Sequence, residues 1–374
     1  MIYREFGNTG LRVSALGFGC MRVPMTQKDG KIIVDDELTT PLLRRAVELG
    51  VNFFDTAWFY NNNDGQRAVG AALAPVRDKV YISTKVPIML VEKTEDFCDF
   101  LEKSLEQMGL EYLDFNHFHG LNYQTWQEKI LPLKLIDEAE KAKAKGLIRH
   151  LSFSFHGDAD KMGELIDTGA FSSVLGQYNV ADRRNEAVFE YAKSRGLGTA
   201  VMGPLMGGNF TVGGKRLLER MGSGASSAAE MGLRFVWGMP AVDMALSGMN
   251  AMEQLEENVR YAEEANSVPA DERQALIERG QALLDLNDLY CTGCDYCDVC
   301  PEGIKPGRMF QMYIQHNVWG LSDSIPARLA MKGPWGPGTK PSACTECGVC
   351  AEHCPQKIDI PAELKRVWPV LESL

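Results

Sequence analysis

The chain has 374 residues with a formal net charge of −11, and 45% of them are hydrophobic and 24% charged. That length implies about two domains and that composition supplies a large soluble core, while the acidic balance and the lack of any Lys/Arg block argue against nucleic acid and anionic membrane surfaces. The opening MIYREFGNTG has no apolar signal core, and no apolar run reaches the ~18 residues of a membrane span, so a cytoplasmic protein without membrane insertion is expected.

Residues 1 to 265 alternate short apolar runs with amphipathic stretches. Predicted strands are Val13–Gly19, Val51–Asp55, Val80–Lys85, Leu113–His119, Ile148–Ser154, Ser173–Asn179, Leu197–Met202 and Val242–Gly248. Helical stretches such as TTPLLRRAVELG and KTEDFCDFLEKSLEQMG lie between them, the latter closing on Gly109 as a C-terminal stop. Eight strands alternating with helices over about 250 residues is the count of an α/β protein with a (β/α)8 TIM barrel. A doubly wound sheet is the alternative, but no GxGxxG follows any strand. Residues 266–290 read as a connecting helix, with Pro269 in its first turn and acidic residues behind it, which would keep the domains packed together. Residues 291–374 form a small C-terminal domain, in which Gly333–Ala343, rich in Pro and Gly, reads as loop.

Eight of the ten cysteines lie in the last 84 residues, in two runs that each end in Cys-Pro. CTGCDYCDVCP holds Cys291, Cys294, Cys297 and Cys300; CTECGVCAEHCP holds Cys344, Cys347, Cys350 and Cys354. A secreted disulfide framework does not look like this. Zinc is the serious rival, but it usually takes pairs of thiolates from two separated knuckles, and the Cys-Pro ending has no role there. The second run's spacing resembles the bacterial-type ferredoxins, and the first is the same device shortened by one residue. That resemblance implies a ferredoxin-like iron-sulfur domain with two 4Fe–4S clusters and exchanged fourth ligands. Cys291, Cys294, Cys297 and Cys354 would hold one; Cys344, Cys347, Cys350 and Cys300 the other. The flanks CPEGIKPGRMF and CPQKIDIPAEL suit such a duplication.

Asp55, Tyr60, Lys85 and His119 fall at or just beyond the C-terminal ends of predicted strands two to four, the rim on which barrels of this kind build active sites. Singly, each has a plain structural explanation: a turn cap, a loop aromatic, a solvated strand end, a satisfied rim histidine. Together they suit carbonyl reduction. A tyrosine hydroxyl can give the proton if an adjacent ammonium lowers its pKa, Lys85 could supply that charge, Asp55 could orient the lysine, and His119 could hydrogen-bond the carbonyl oxygen.

The pattern resembles the aldo-keto reductase family, whose catalytic tetrad is Asp, Tyr, Lys and His. The matching stretches run in family order: GLRVSALGFGCMR, NFFDTAWFY, VYISTK, YLDFNHFHG, KGLIRHLSFSFH, GQYN, GPLMGG and SGMNAMEQLEEN. The Cys runs place the chain with a ferredoxin-tailed branch. The resemblance implies that Ser154 and Gln177 hold a nicotinamide carboxamide, that Gly203 and Leu205 of GPLMGG pass beside the pyrophosphate, and that Glu257 and Asn258 contact adenine. Four positions depart from the family. Phe155 replaces the usual Asn, and Met202 replaces the aromatic that stacks on nicotinamide. Gly248 and Gln254 stand where a Lys and an Arg would clasp a 2′-phosphate, so NAD(H) is favoured over NADP(H).

Three more residues are singled out. His117 shares the face of His119 one layer deeper and reads as a hydrogen-bonded core histidine; His156 can reach toward the nicotinamide region; Cys20 reads as a small buried residue near the rim. Trp58 and Phe59 would line an apolar substrate pocket. The whole reads as an oxidoreductase interconverting a small-molecule carbonyl and alcohol and passing electrons through two clusters, with a redox protein as a second partner. An electron-transfer protein with a vestigial tetrad and a reductase with purely structural clusters are the alternatives. Linking hydride to single electrons calls for a converter such as a flavin, whose phosphate the loops after strands seven and eight of a barrel can seat.

Overall fold

The computed structural model describes residues 1–156, 159–263, 268–286, 289–318, 322, 325–331 and 336–374. Eight parallel strands close into a barrel: β1 Leu16–Gly19, β2 Phe53–Asp55, β3 Tyr81–Val86, β4 Leu113–Phe118, β5 Ile148–Phe155, β6 Ser173–Gln177, β7 Gly198–Met202 and β8 Met244–Ser247. Each pairs with its sequence neighbours, and β8 returns to β1 with Ser247 opposite Phe18. Helices on the outside and side chains within bury both faces of the strands, which is why they read as near-continuous apolar runs.

The first predicted strand is two elements. Arg12–Ser14 pairs antiparallel with Tyr3–Glu5, and only Leu16–Gly19 enters the barrel. The N-terminal pair carries Phe6 and Val13 into a buried cluster with Phe53, Phe115, Leu175, Ala200 and Met244 from the barrel strands. Phe6 meets Phe53 and Phe115 edge-on at 5.8 and 5.4 Å between ring centroids, so this end of the barrel is plugged by aromatic packing. A hairpin, Met25–Lys28 with Lys31–Val34, follows β1. The helix Asp96–Met108 ends where expected, on Gly109 in the left-handed region.

Residues cluster into two compact units. One is the barrel: 1–178, 182–204 and 233–267. The other comprises 179–181, 205–232 and 268–374. Within the second, the helix Asn209–Met221 packs against Ala270–Leu286 and Pro306–Asn317, and the last of these packs against Ile360–Glu372. The helix Ala270–Leu286 lies within the stretch expected to be helical; Pro269 stands just ahead of it, its carbonyl accepting from Arg273 N. The expected loop at 333–343 lies partly outside the described residues, and its end forms a single turn, Pro341–Ala343.

Candidate active site and cluster ligands

Along each barrel strand the inward positions alternate, and toward the C-terminal ends they change from apolar to polar. Phe53 gives way to Asp55, Tyr81 to Ser83 and Lys85, Phe115 to His117 and Leu175 to Gln177. Beyond Asp55 the chain turns back through Asn61, Asn62 and Asn63, all left-handed with φ of 55°, 56° and 64°. Asparagine is among the few residues that tolerate this region. Asn61 donates to the Met21 carbonyl and Asn62 to that of Ile32, which pins the turn that presents Tyr60.

Lys85 Nζ is the hub. It lies 2.5 Å from Asp55 Oδ2, 2.8 Å from the Thr56 carbonyl and 3.3 Å from Tyr60 Oη. Ser83 Oγ donates to the other Asp55 oxygen at 2.9 Å, so both carboxylate oxygens are held. Asp55, Lys85 and His119 are buried, and Tyr60 is half-buried. The His119 ring stands edge-on to Tyr60, 6.2 Å between centroids. Burial pulls Lys85 below the usual lysine range, against the opposing pull of Asp55. Burial, and then the Lys85 charge, hold His119 far below its usual value, so it is a neutral imidazole at neutral pH. The four side chains expected to act together are thus brought together. Thr56 and Ser83 were missed by the sequence reasoning, although Ser83 precedes Lys85 by two on an inward face and could have been found from that.

His117 lies on the same inward face, buried, and hydrogen-bonds the Phe153 carbonyl; burial holds it down at about 4. Ser154 Oγ accepts from Gly120 N at 2.9 Å, and Gln177 Oε1 lies 3.3 Å from His156 Nδ1. Gly203, at φ 66°, passes so close that an added Cβ would sit 3.3 Å from Gln177 Nε2. Asn258 is buried and donates to Ser247 Oγ at 3.1 Å; Glu257 is exposed beside Arg260. Gly248 is exposed, and the stem of Arg22 runs past it, with Cγ 3.3 Å from where a Cβ would be. Phe155 is directed away from the rim, into outer packing around Gly176. Met202 is half-buried against the inner core, Leu205 is buried in the second unit, and Cys20 is fully buried. Gln177 closes on Gly203 and Ser154 stands on the neighbouring strand, so an amide and a hydroxyl of the kind an amide-bearing nucleotide ring bonds are present, and their chemistry fits that group.

The two Cys runs share one backbone. Two residues after the first Cys, Gly293 and Glu346 are left-handed; four residues after it, so are Asp295 and Gly348. Gly293 N and Glu346 N each donate to the preceding Cys sulfur, Cys291 and Cys344, at 3.4 Å. Three residues after the last Cys of each run, Gly303 and Lys357 are left-handed again, and their N–H groups bond back to the Cys300 and Cys354 carbonyls. A cleft of ≈ 330 Å³, part of it open to solvent, is lined by Cys344, Cys347, Cys350 and Cys300 together. On the other side, burial and the neighbouring Cys294 and Cys354 push the Cys291 thiol up to about 12. Cys294 is raised by burial and then by Cys354 and Asp295, and Cys297 by burial and then by Cys291, Cys294 and Asp298. Cys300 thus lies with Cys344, Cys347 and Cys350, and Cys354 lies near Cys291 and Cys294. Among the described residues no three His, Cys, Asp or Glu side chains converge on a single-ion position.

The sequence profile of the aldo/keto reductase family matches residues 15–276, and that of the 4Fe-4S dicluster domain matches residues 290–358. The chain belongs to the aldo/keto reductase family and is an oxidoreductase carrying a C-terminal 4Fe–4S dicluster domain. L-galactose dehydrogenase of Arabidopsis thaliana is 26% identical over 316 residues, which span 75% of this chain and 94% of that protein. The uncharacterized oxidoreductase YqkF of Bacillus subtilis is 24% identical over 306 residues, 73% of this chain and 94% of that one. The structure of aldo-keto reductase AKR11C1 from Bacillus halodurans (holo form) superposes with a TM-score of 0.64 at 24% identity, covering 75% of this chain and 96% of that one, a likeness of fold. Among the described residues, no helix is long and apolar enough to cross a membrane.

Proposed function

We propose that the barrel interconverts a small-molecule carbonyl and its alcohol with a nicotinamide nucleotide, and that the Cys-rich unit carries single electrons on two 4Fe–4S clusters. The observation that carries the barrel reading is the position of Lys85 Nζ, held by Asp55 and the Thr56 carbonyl while facing Tyr60 Oη at 3.3 Å. In reduction, the Tyr60 hydroxyl gives its proton to the carbonyl oxygen, and the Lys85 ammonium stabilises the phenolate left behind. Asp55, fixed by Ser83, keeps that ammonium in place. Neutral His119 donates a hydrogen bond to the same oxygen and sets its direction. Alcohol oxidation runs the same proton path backwards, onto Tyr60.

A bound nicotinamide would supply or take the hydride. Ser154, Gln177, Gly203 and Leu205 would hold its nicotinamide and pyrophosphate end, and Gly248, Glu257 and Asn258 its adenosine. NADH is the favoured form, because Gly248 and Gln254 bring no cation to a 2′-phosphate. The clusters would supply one-electron steps, held by Cys291, Cys294, Cys297 and Cys354, and by Cys344, Cys347, Cys350 and Cys300; a redox protein in the cytoplasm would be the second partner. Joining the two chemistries calls for a converter of the flavin kind.

Tyr60→Phe tests the barrel reading. The ring still fills its space, so fold and nucleotide affinity should be kept, while NADH-linked turnover of a carbonyl panel should fall about 10²–10⁴-fold. Near-native turnover would make the tetrad inherited scaffolding.

A further inference from the structure

We infer that the two four-thiol sets are not equivalent: Cys300, Cys344, Cys347 and Cys350 form the port at which a soluble one-electron carrier protein exchanges electrons, and Cys291, Cys294, Cys297 and Cys354 form an internal site reached through that port. This rests on reading both runs as cluster ligands. The sets differ in what covers them. Cys347 is exposed, Cys300 and Cys344 are half-buried, and the cleft they share with Cys350 is bordered by exposed Pro301 and Thr345. In the other set Cys291, Cys297 and Cys354 are buried and Cys294 is half-buried, with no member exposed.

The shielding has identifiable causes within the same unit. Thr292 is backed by the segment 205–208 so closely that a Cβ on Gly207 would sit 2.0 Å from the Thr292 carbonyl oxygen. Gln311, on the helix Pro306–Asn317, donates to the Cys291 carbonyl at 2.8 Å. Gly307, at the start of that helix, lies so near that a Cβ would be 3.6 Å from Cys297 Sγ. Among the described residues the second run has no counterpart to the 205–208 segment: Thr345, Glu346 and Cys347 are exposed in succession. Electron tunnelling weakens steeply with distance, so a carrier docking from solvent exchanges with the set whose sulfur it can touch.

The step balances simply. The reduced carrier loses one electron to the iron held at the outer set, which is then reoxidised as the iron at the inner set is reduced. No bond is made and no proton moves, and a second encounter brings the second electron.

The test uses anaerobically purified, dithionite-reduced holoprotein and electron paramagnetic resonance with a soluble dysprosium chelate as relaxing agent. Cys347→Ser and Cys294→Ser assign each signal to a set by altering its line shape. Dysprosium should raise the half-saturation power of the Cys347-sensitive signal several-fold and leave the Cys294-sensitive signal nearly unchanged. If either variant fails to assemble, iron release from wild-type protein to a water-soluble chelator should be biphasic, with half the iron in the fast phase. Equal relaxation of both signals, the reverse order, or a single release phase in iron-replete protein would overturn the ordering alone. Protein holding no iron would overturn the cluster reading, and the ordering with it.

Discussion

Lys85 shows how much of the rim's chemistry depends on one buried cation. Lys85→Met would leave Asp55 buried without its partner, a loss of about 3–5 kcal/mol of stability for an uncompensated charge. Adding Asp55→Asn should restore a large part of that, because the remaining amide carries no charge. Denaturant midpoints of the two variants check this; equal destabilisation would mean that the lysine stem, and not its charge, matters. A second expectation concerns acid. His117 sits at about 4 when folded against the usual 6.5, so the unfolded chain binds more protons between those values. Stability from this group is full above pH 6.5 and falls as pH drops toward 4, by up to about 1.4 kcal/mol per pH unit. His117→Gln keeps a donor for the Phe153 carbonyl and should flatten the slope over that window. A third expectation is tighter binding of NADH than of NADPH by equilibrium titration. The opposite preference, abolished by Arg22→Met, would mean that Arg22, whose stem passes Gly248, has taken the place of the missing cations. The meeting of Asp55, Tyr60, Lys85 and His119 was legible because each stands at or shortly beyond the end of a strand read from the sequence. Thr56 was not, since a backbone carbonyl leaves no trace in residue type.

Among the elements, seven barrel strands were legible to within a few residues, and the first was read too long. Val13 and Leu16 are equally apolar, but one belongs to the N-terminal plug and the other to the barrel, a difference that hydrophobic pattern alone cannot express. The hairpin Met25–Val34 was missed for another reason, because MTQK is largely polar and KIIV is only four residues long. Gly70 tests how tightly the outer helices are set. A Cβ there would lie 2.0 Å from the Met108 carbonyl oxygen, so the helix Gly65–Leu73 meets the end of Asp96–Met108 backbone to backbone. Gly70→Ala should therefore destabilise by about 1–3 kcal/mol, as overpacking does. In an open helix the same change would stabilise by roughly 1 kcal/mol. A gain in the urea midpoint would show that the helices can move apart at little cost. The repeat in the Cys runs was visible as spacing. Its backbone was not, since Asp295 and Glu346 adopt left-handed conformations that their side chains do not advertise.

At the scale of the molecule, the chain combines an aldo/keto reductase barrel with a C-terminal 4Fe–4S dicluster domain. The division of the chain was only partly visible, because residues 205–232 leave the barrel series in sequence and group with the Cys-rich unit in space. That grouping gives the 205–208 segment a neighbour in the first Cys run which no motif announces. The most direct measurement is the metal and cofactor content of protein purified without oxygen. The account predicts about eight irons and as many acid-labile sulfides per chain, with the broad visible absorption of 4Fe–4S clusters. Two zinc ions per chain with little iron and no labile sulfide would contradict it.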